Sequence, residues 1–76
     1  MATRGKKGYV VCLSNGGYKA SLEMRKIYVV FADAEAKRHG MLRVVDESGE
    51  DYLYPEECFA KVSLPAQAQR VFRSSA

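Results

Sequence analysis

Met41-Leu42-Arg43-Val44-Val45-Asp46-Glu47-Ser48-Gly49-Glu50-Asp51-Tyr52-Leu53-Tyr54-Pro55 is the stretch whose reading decides the fold. Residues 41–45 are apolar and β-branched apart from one arginine, which suits a strand. Residues 46–51 are polar throughout, and Gly49 supplies the free backbone of a reversal. Tyr52-Leu53-Tyr54 returns as the partner strand. Pro55 has no N–H to give to a ladder and stops it. The stretch therefore predicts a β-hairpin that ends in a tight turn through Glu56, Glu57 and Cys58.

Upstream, residues 26–32 read as another strand. Ile27, Val29 and Phe31 fall on one face and Tyr28, Val30 and Ala32 on the other, so both faces are covered. Residues 33–40 change character. Asp33 can cap a helix, Ala, Glu and Lys favour one, and Gly40 can take the left-handed position after its end. One or two helical turns are expected there, too short to stand without the sheet. Leu22 and Met24 alternate with Glu23 and Arg25, which suggests an extended piece with one buried face. Tyr9-Val10-Val11-Cys12-Leu13 is a further strand, ended by Ser14-Asn15-Gly16-Gly17, the strongest turn signal in the chain. Downstream, residues 59–64 give a last short strand. Pro65 then permits a helical turn in which Ala66, Ala68, Val71 and Phe72 pack, before a frayed Arg-Ser-Ser-Ala tail. Five short strands, close turns and no long helix predict a mainly β protein, a small barrel or sandwich. Closure is favoured because an open sheet this apolar leaves aggregation-prone edges.

Tyr54-Pro55-Glu56-Glu57-Cys58-Phe59 resembles the end of SH3 domains, where a strand meets a proline, makes a one-turn 3₁₀ helix and enters the final strand. Leu22-Glu23-Met24-Arg25-Lys26-Ile27-Tyr28-Val29-Val30 resembles the diverging turn and second strand of SH3-like barrels. Arg25-Lys26-Ile27-Tyr28, with His39-Gly40 and residues 46–55, resembles a small bacterial family of uncharacterised SH3-like proteins. The resemblance covers residues 9–64. It implies a five-stranded SH3-like barrel with a short helical insertion; outside it, composition predicts a flexible basic arm over 1–8, and Pro65 a C-terminal helical turn and tail over 65–76. SH3 domains that bind Pro-rich peptides floor their groove with a tryptophan and tyrosines. This chain has no Trp, Cys58 stands at the groove tyrosine of the 3₁₀ turn, and only Pro55 matches the groove directly. The resemblance thus implies the fold but not the polyproline route. Alternation along 52–54 puts Leu53 inside and Tyr52 and Tyr54 outside, whereas the resemblance puts Tyr54 inside.

A chain of 76 residues forms one domain at most, and a core of this size yields only about 3–5 kcal/mol of net stability. That leaves little surplus to hold a strained active site. The apolar share of 47% with 28% charged residues excludes overall disorder. No apolar run is long enough to span a bilayer. The charges at the N-terminus are not followed by a hydrophobic stretch, so it does not read as a secretory signal, and a cytoplasmic location is expected. In that compartment Cys12 and Cys58 are expected to be buried free thiols. The formal charge of +3 is unevenly spread. Residues 9–64 hold seven Lys/Arg against nine Asp/Glu, while both ends carry only Lys and Arg among their charged residues. A slightly acidic body with basic ends is expected, and any nucleic-acid contact would lean on the arms or on a local cluster.

Specific chemistry is sparse. Asp46, Ser48, Glu50 and Glu57 have part of a calcium-loop spacing, but the glycine falls at the wrong position, and a solvated hairpin is the expectation. Cys12, His39 and Cys58 match no zinc spacing, and His39 is expected to meet carbonyls at its helix end. Neither cysteine has a base near it in sequence, and no glycine-rich phosphate loop is present. No enzyme activity, metal or cofactor is expected. Five tyrosines remain the most suggestive feature, since Tyr is amphipathic and favoured at interfaces. The first expectation is a module that binds an unidentified protein or peptide near Tyr18, Tyr52, Pro55 and Glu56. The alternative is a nucleic-acid-binding small barrel that uses Arg4, Lys6, Lys7, Arg25, Lys26, Lys37, Arg38 and Arg43.

Overall fold

The computed structural model describes residues 6–74. Its elements are β1 (Lys7–Cys12), β2 (Ile27–Phe31), α1 (Ala34–Arg38), β3 (Met41–Val45), β4 (Asp51–Pro55), a 3₁₀ turn (Glu56–Cys58), β5 (Phe59–Val62) and α2 (Ala66–Ser74). The protein is mainly β. All five strands join one antiparallel sheet in the order β4-β3-β2-β1-β5, with β4 and β5 at its edges.

The pairing register gathers the core onto one face. Val10 lies opposite Tyr28, Val30 opposite Val44, Leu42 opposite Tyr54 and Cys12 opposite Phe59. Leu22 and Cys58 close over this face from the first long loop and from the 3₁₀ turn, and Leu42 packs against the cluster. Val44 and Leu22 are wholly enclosed, and burial of such a side chain stabilises by about 1.5–3 kcal/mol. The opposite face carries Tyr9, Val11, Ile27, Val29, Phe31 and Val45, all half-buried. There α2 lays Phe72 on Tyr9, with ring centroids 5.4 Å apart. Strand β2 is thus apolar on both faces, as its composition predicts.

Several expectations need correction. Leu22 and Met24 do not share a buried face, because the chain turns twice here and Arg25 takes a left-handed φ of 70°. Leu22 enters the core while Met24 is 52% exposed. Tyr54 points inward and Leu53 outward, so the resemblance and not simple alternation gives the correct face. The cause is the register with β3, which puts Tyr54 opposite Leu42. The acidic hairpin is not uniformly solvated, since Asp46 is buried. Strand β1 begins at Lys7, where Lys7 and Gly8 pair with Phe31 and Val30, so two residues expected in the arm belong to the sheet. Strand β5 stops at Val62, and α2 takes in Arg73 and Ser74 where a frayed tail was expected.

Candidate functional site

Strands β2 and β3 stay in register over only two residue pairs, Val30 with Val44 and Phe31 with Arg43. Beyond Phe31 they splay, and α1 fills the connection. Asp33 holds that connection at two points. One carboxylate oxygen accepts from the Ala36 N–H at 3.0 Å, capping α1, and the other accepts from Arg43 Nε at 2.8 Å. The Ala36 amide and the Arg43 guanidinium hold the Asp33 carboxyl below its ordinary range. Gly40, with φ at 70°, turns the chain from α1 into β3, and its carbonyl accepts from the Glu56 N–H.

The splayed strands frame a cleft of about 370 Å³. Its apolar lining includes Val10, Val30 and Leu42, and its charged lining is Lys6, Lys7, Lys37, Arg43 and Lys61, with Asp33 as the one carboxylate. Because Asp33 is committed to Arg43, the four lysines face the opening without a counter-charge in the lining. All four are exposed. Residues 9–64 carry more acidic than basic side chains, yet three of their cations, Lys37, Arg43 and Lys61, join Lys6 and Lys7 in one positive recess.

The structure sorts the basic residues expected from sequence. Lys6, Lys7, Lys37 and Arg43 converge on the cleft. Lys26 lies elsewhere, bonded to Glu47 at 2.7 Å, and that hydrogen bond pushes its pKa up. Arg38 pairs with Glu35 one helical turn back. Arg25 sits exposed in its left-handed turn. Arg4 lies outside the described residues. Lys61 was missed by sequence reasoning. Its signal was the alternation of β5, which places Lys61 opposite Val10 on the core-side face.

The residues expected at a protein or peptide surface are placed one by one. Tyr18 packs edge-on against Tyr54, with centroids 5.1 Å apart, and stays 43% exposed. Tyr52 is 50% exposed, and its hydroxyl donates to the Glu50 carboxylate at 3.0 Å. That bond pushes the Tyr52 hydroxyl pKa up. Pro55 is half-buried where β4 enters the 3₁₀ turn, and the Glu56 side chain is exposed.

The acidic hairpin carries a structural network. Tyr54 donates to Asp46 at 2.5 Å, and Ser48 donates to the same carboxylate through its hydroxyl and its N–H. Burial pushes the Asp46 carboxyl up, but these donors outweigh it and the carboxyl ends below its ordinary value. Tyr28 donates to Glu47 and accepts from the Glu23 N–H. Burial first, and then the bond to Glu47, push the Tyr28 hydroxyl pKa well up. Lys26 and Tyr28 in turn hold Glu47 low. The tyrosines of the core thus act as donors that fix the hairpin.

Cys12 and Cys58 are both buried and free. Burial and the neighbouring Cys58 raise the Cys12 thiol pKa, which opposes nucleophile chemistry there. The exposed His39 ring faces Glu35 at 3.7 Å, while its backbone N–H caps α1, so the side chain does not meet the helix-end carbonyls. Among the described residues no three His, Cys, Asp or Glu side chains gather as metal ligands, and no helix is long and apolar enough to cross a membrane. No protein-family model, no curated protein and no solved structure matches this chain.

Proposed function

We propose that this protein is a non-catalytic binding module of the SH3-like barrel kind that holds nucleic acid by its phosphate backbone in the cleft between β2 and β3. The barrel reading rests on the strand order, the 3₁₀ turn before β5 and the inward Tyr54. The binding reading rests on one observation. Four exposed lysines and Arg43 line a single recess whose only carboxylate is already paired. Phosphate contacts of this kind fix a nucleic acid on a protein without reading its sequence.

The test is a titration of a labelled mixed-sequence oligonucleotide, followed by fluorescence polarisation at two salt concentrations. Four lysine–phosphate contacts on a single strand give a log–log salt slope of about −2.8, which is a fall of ~50-fold in affinity between about 50 and about 200 mM salt. Lys37→Gln with Lys61→Gln halves that slope to about −1.4. Removal of residues 1–5 tests the arm without cutting β1, whereas removal of 1–8 takes two paired residues from the sheet. Absence of binding at the lower salt overturns the reading.

A second reading is supported by the two exposed tyrosines. Tyr18 and Tyr52 are exposed, and Glu50 accepts from the Tyr52 hydroxyl, so aromatic and acidic groups are available to a protein or peptide partner. It predicts that Tyr18→Ala and Tyr52→Ala abolish partner capture while the lysine variants do not.

A further inference from the structure

The basic cleft does not end at its own walls. Lys7 and Phe31 line it, and they also line a second groove of about 580 Å³ on the other face of the sheet. The two recesses therefore meet across β1 and β2 at one shared edge. Their chemistry differs. The second groove is walled by Ile27, Val29, Phe31, Val45 and Phe72. Its charged lining is Lys7, Lys26, Asp46 and Glu47, which balance. Lys26 is also bound to Glu47. The Asp46 carboxylate is occupied by Ser48 and Tyr54.

This contrast sorts the parts of a nucleotide. A phosphate finds a surplus of cations in the cleft and none in the groove, where two carboxylates also repel it. A neutral, planar, largely apolar base meets the reverse. The groove is of ligand-pocket size, and its apolar walls are edged by charged side chains of both signs. Two phenylalanines supply aromatic surface for a base to stack on, and every base has a face suited to that contact.

We infer that the nucleic acid bound here is single-stranded, with its phosphates in the Lys37–Lys61 cleft and one unpaired base turned over Phe31 into the groove beside Phe72. This rests on the nucleic-acid reading above and adds to it the strandedness of the ligand. A duplex keeps its bases paired and stacked inward, so it offers the cleft its phosphates but offers the groove nothing.

The test compares three probes of equal length at one low salt concentration: single-stranded oligothymidylate, an abasic deoxyribose-phosphate strand, and a duplex. All three titrate against the full chain, so the main comparison needs no variant that must fold. Oligothymidylate is expected to bind about tenfold tighter than the abasic strand. Phe31→Leu keeps an apolar side chain but removes the aromatic face. It is expected to bring oligothymidylate down towards the abasic affinity. Circular dichroism of the variant reports whether the sheet persists. Equal affinity for the abasic strand and oligothymidylate overturns the base site while the phosphate cleft stands. Tighter binding of the duplex overturns it likewise. Failure of all three probes to bind overturns the nucleic-acid reading itself.

Discussion

Replacing Tyr54 with Phe removes one hydroxyl from the best-enclosed polar contact in the molecule. The ring remains, packed between Tyr18 and Phe59. The hydroxyl donates to Asp46 at 2.5 Å, with Tyr54 at 4% and Asp46 at 7% exposure. Ser48 keeps its two bonds to the other carboxylate oxygen, so one oxygen of a buried carboxylate loses its donor. A hydrogen bond to a charged group contributes about 1.5–3 kcal/mol, and about 2 kcal/mol is expected here. For a domain of this size that corresponds to a fall of roughly 8–16 °C in Tm. Thermal unfolding followed by circular dichroism at neutral pH measures it. The pH dependence checks the cause. The Asp46 carboxyl lies below its ordinary value of 3.8, so it stabilises the fold above that pH. That contribution is lost as pH falls through the folded-state value. Tyr54→Phe removes part of the depression. The gap between the two proteins is therefore full at neutral pH and narrows in acid below 3.8. A loss under about 0.5 kcal/mol, or a gap that stays constant into acid, refutes the reasoning.

Leu22→Ala is expected to cost about 2–5 kcal/mol, a large share of the stability of so small a domain. Met24→Ala, two residues on and half exposed, is expected to change stability by less than about 0.5 kcal/mol; urea unfolding separates the two. Gly16 sits at φ 53°, and an added Cβ would lie 3.2 Å from the Cys58 sulfur, so Gly16→Ala is expected to destabilise by more than about 1 kcal/mol. Gly17→Ala shares the left-handed backbone but meets nothing within 4 Å, so it is expected to destabilise less, as a comparison of urea midpoints will show. Stability is expected to decline as pH rises above 10. Tyr28 and Tyr54 hold raised pKa values in the fold, so the unfolded chain loses those protons first. Denaturation curves across that range test this, and Tyr28→Phe should flatten the decline.

Much of the architecture is legible in local chemistry. Residues 41–45 match β3 residue for residue, Asp33 caps α1 as its type suggests, and Pro55 ends β4. These features depend on neighbours a few positions away, which a linear reading sees. The inward face of β4 is different. Alternation fixes that Leu53 and Tyr54 face opposite ways, but only the pairing of Leu42 with Tyr54 decides which side is the core.

The candidate site was legible only in part. Lys6, Lys7, Lys37 and Arg43 stood among eight basic residues with nothing in the sequence to separate them from Lys26 or Arg38. Their convergence, and the addition of Lys61, follow from the splaying of β2 from β3 and from the β1–β5 register. The burial of Asp46 likewise needs Tyr54 to arrive from the far strand of the hairpin. The order of amino acids determined the strands, the turns and the cap, because backbone preferences and side-chain periodicity act over a few residues. Tertiary structure alone decided which charges share a recess and which are cancelled, because Coulomb interactions depend on distance through space and not along the chain.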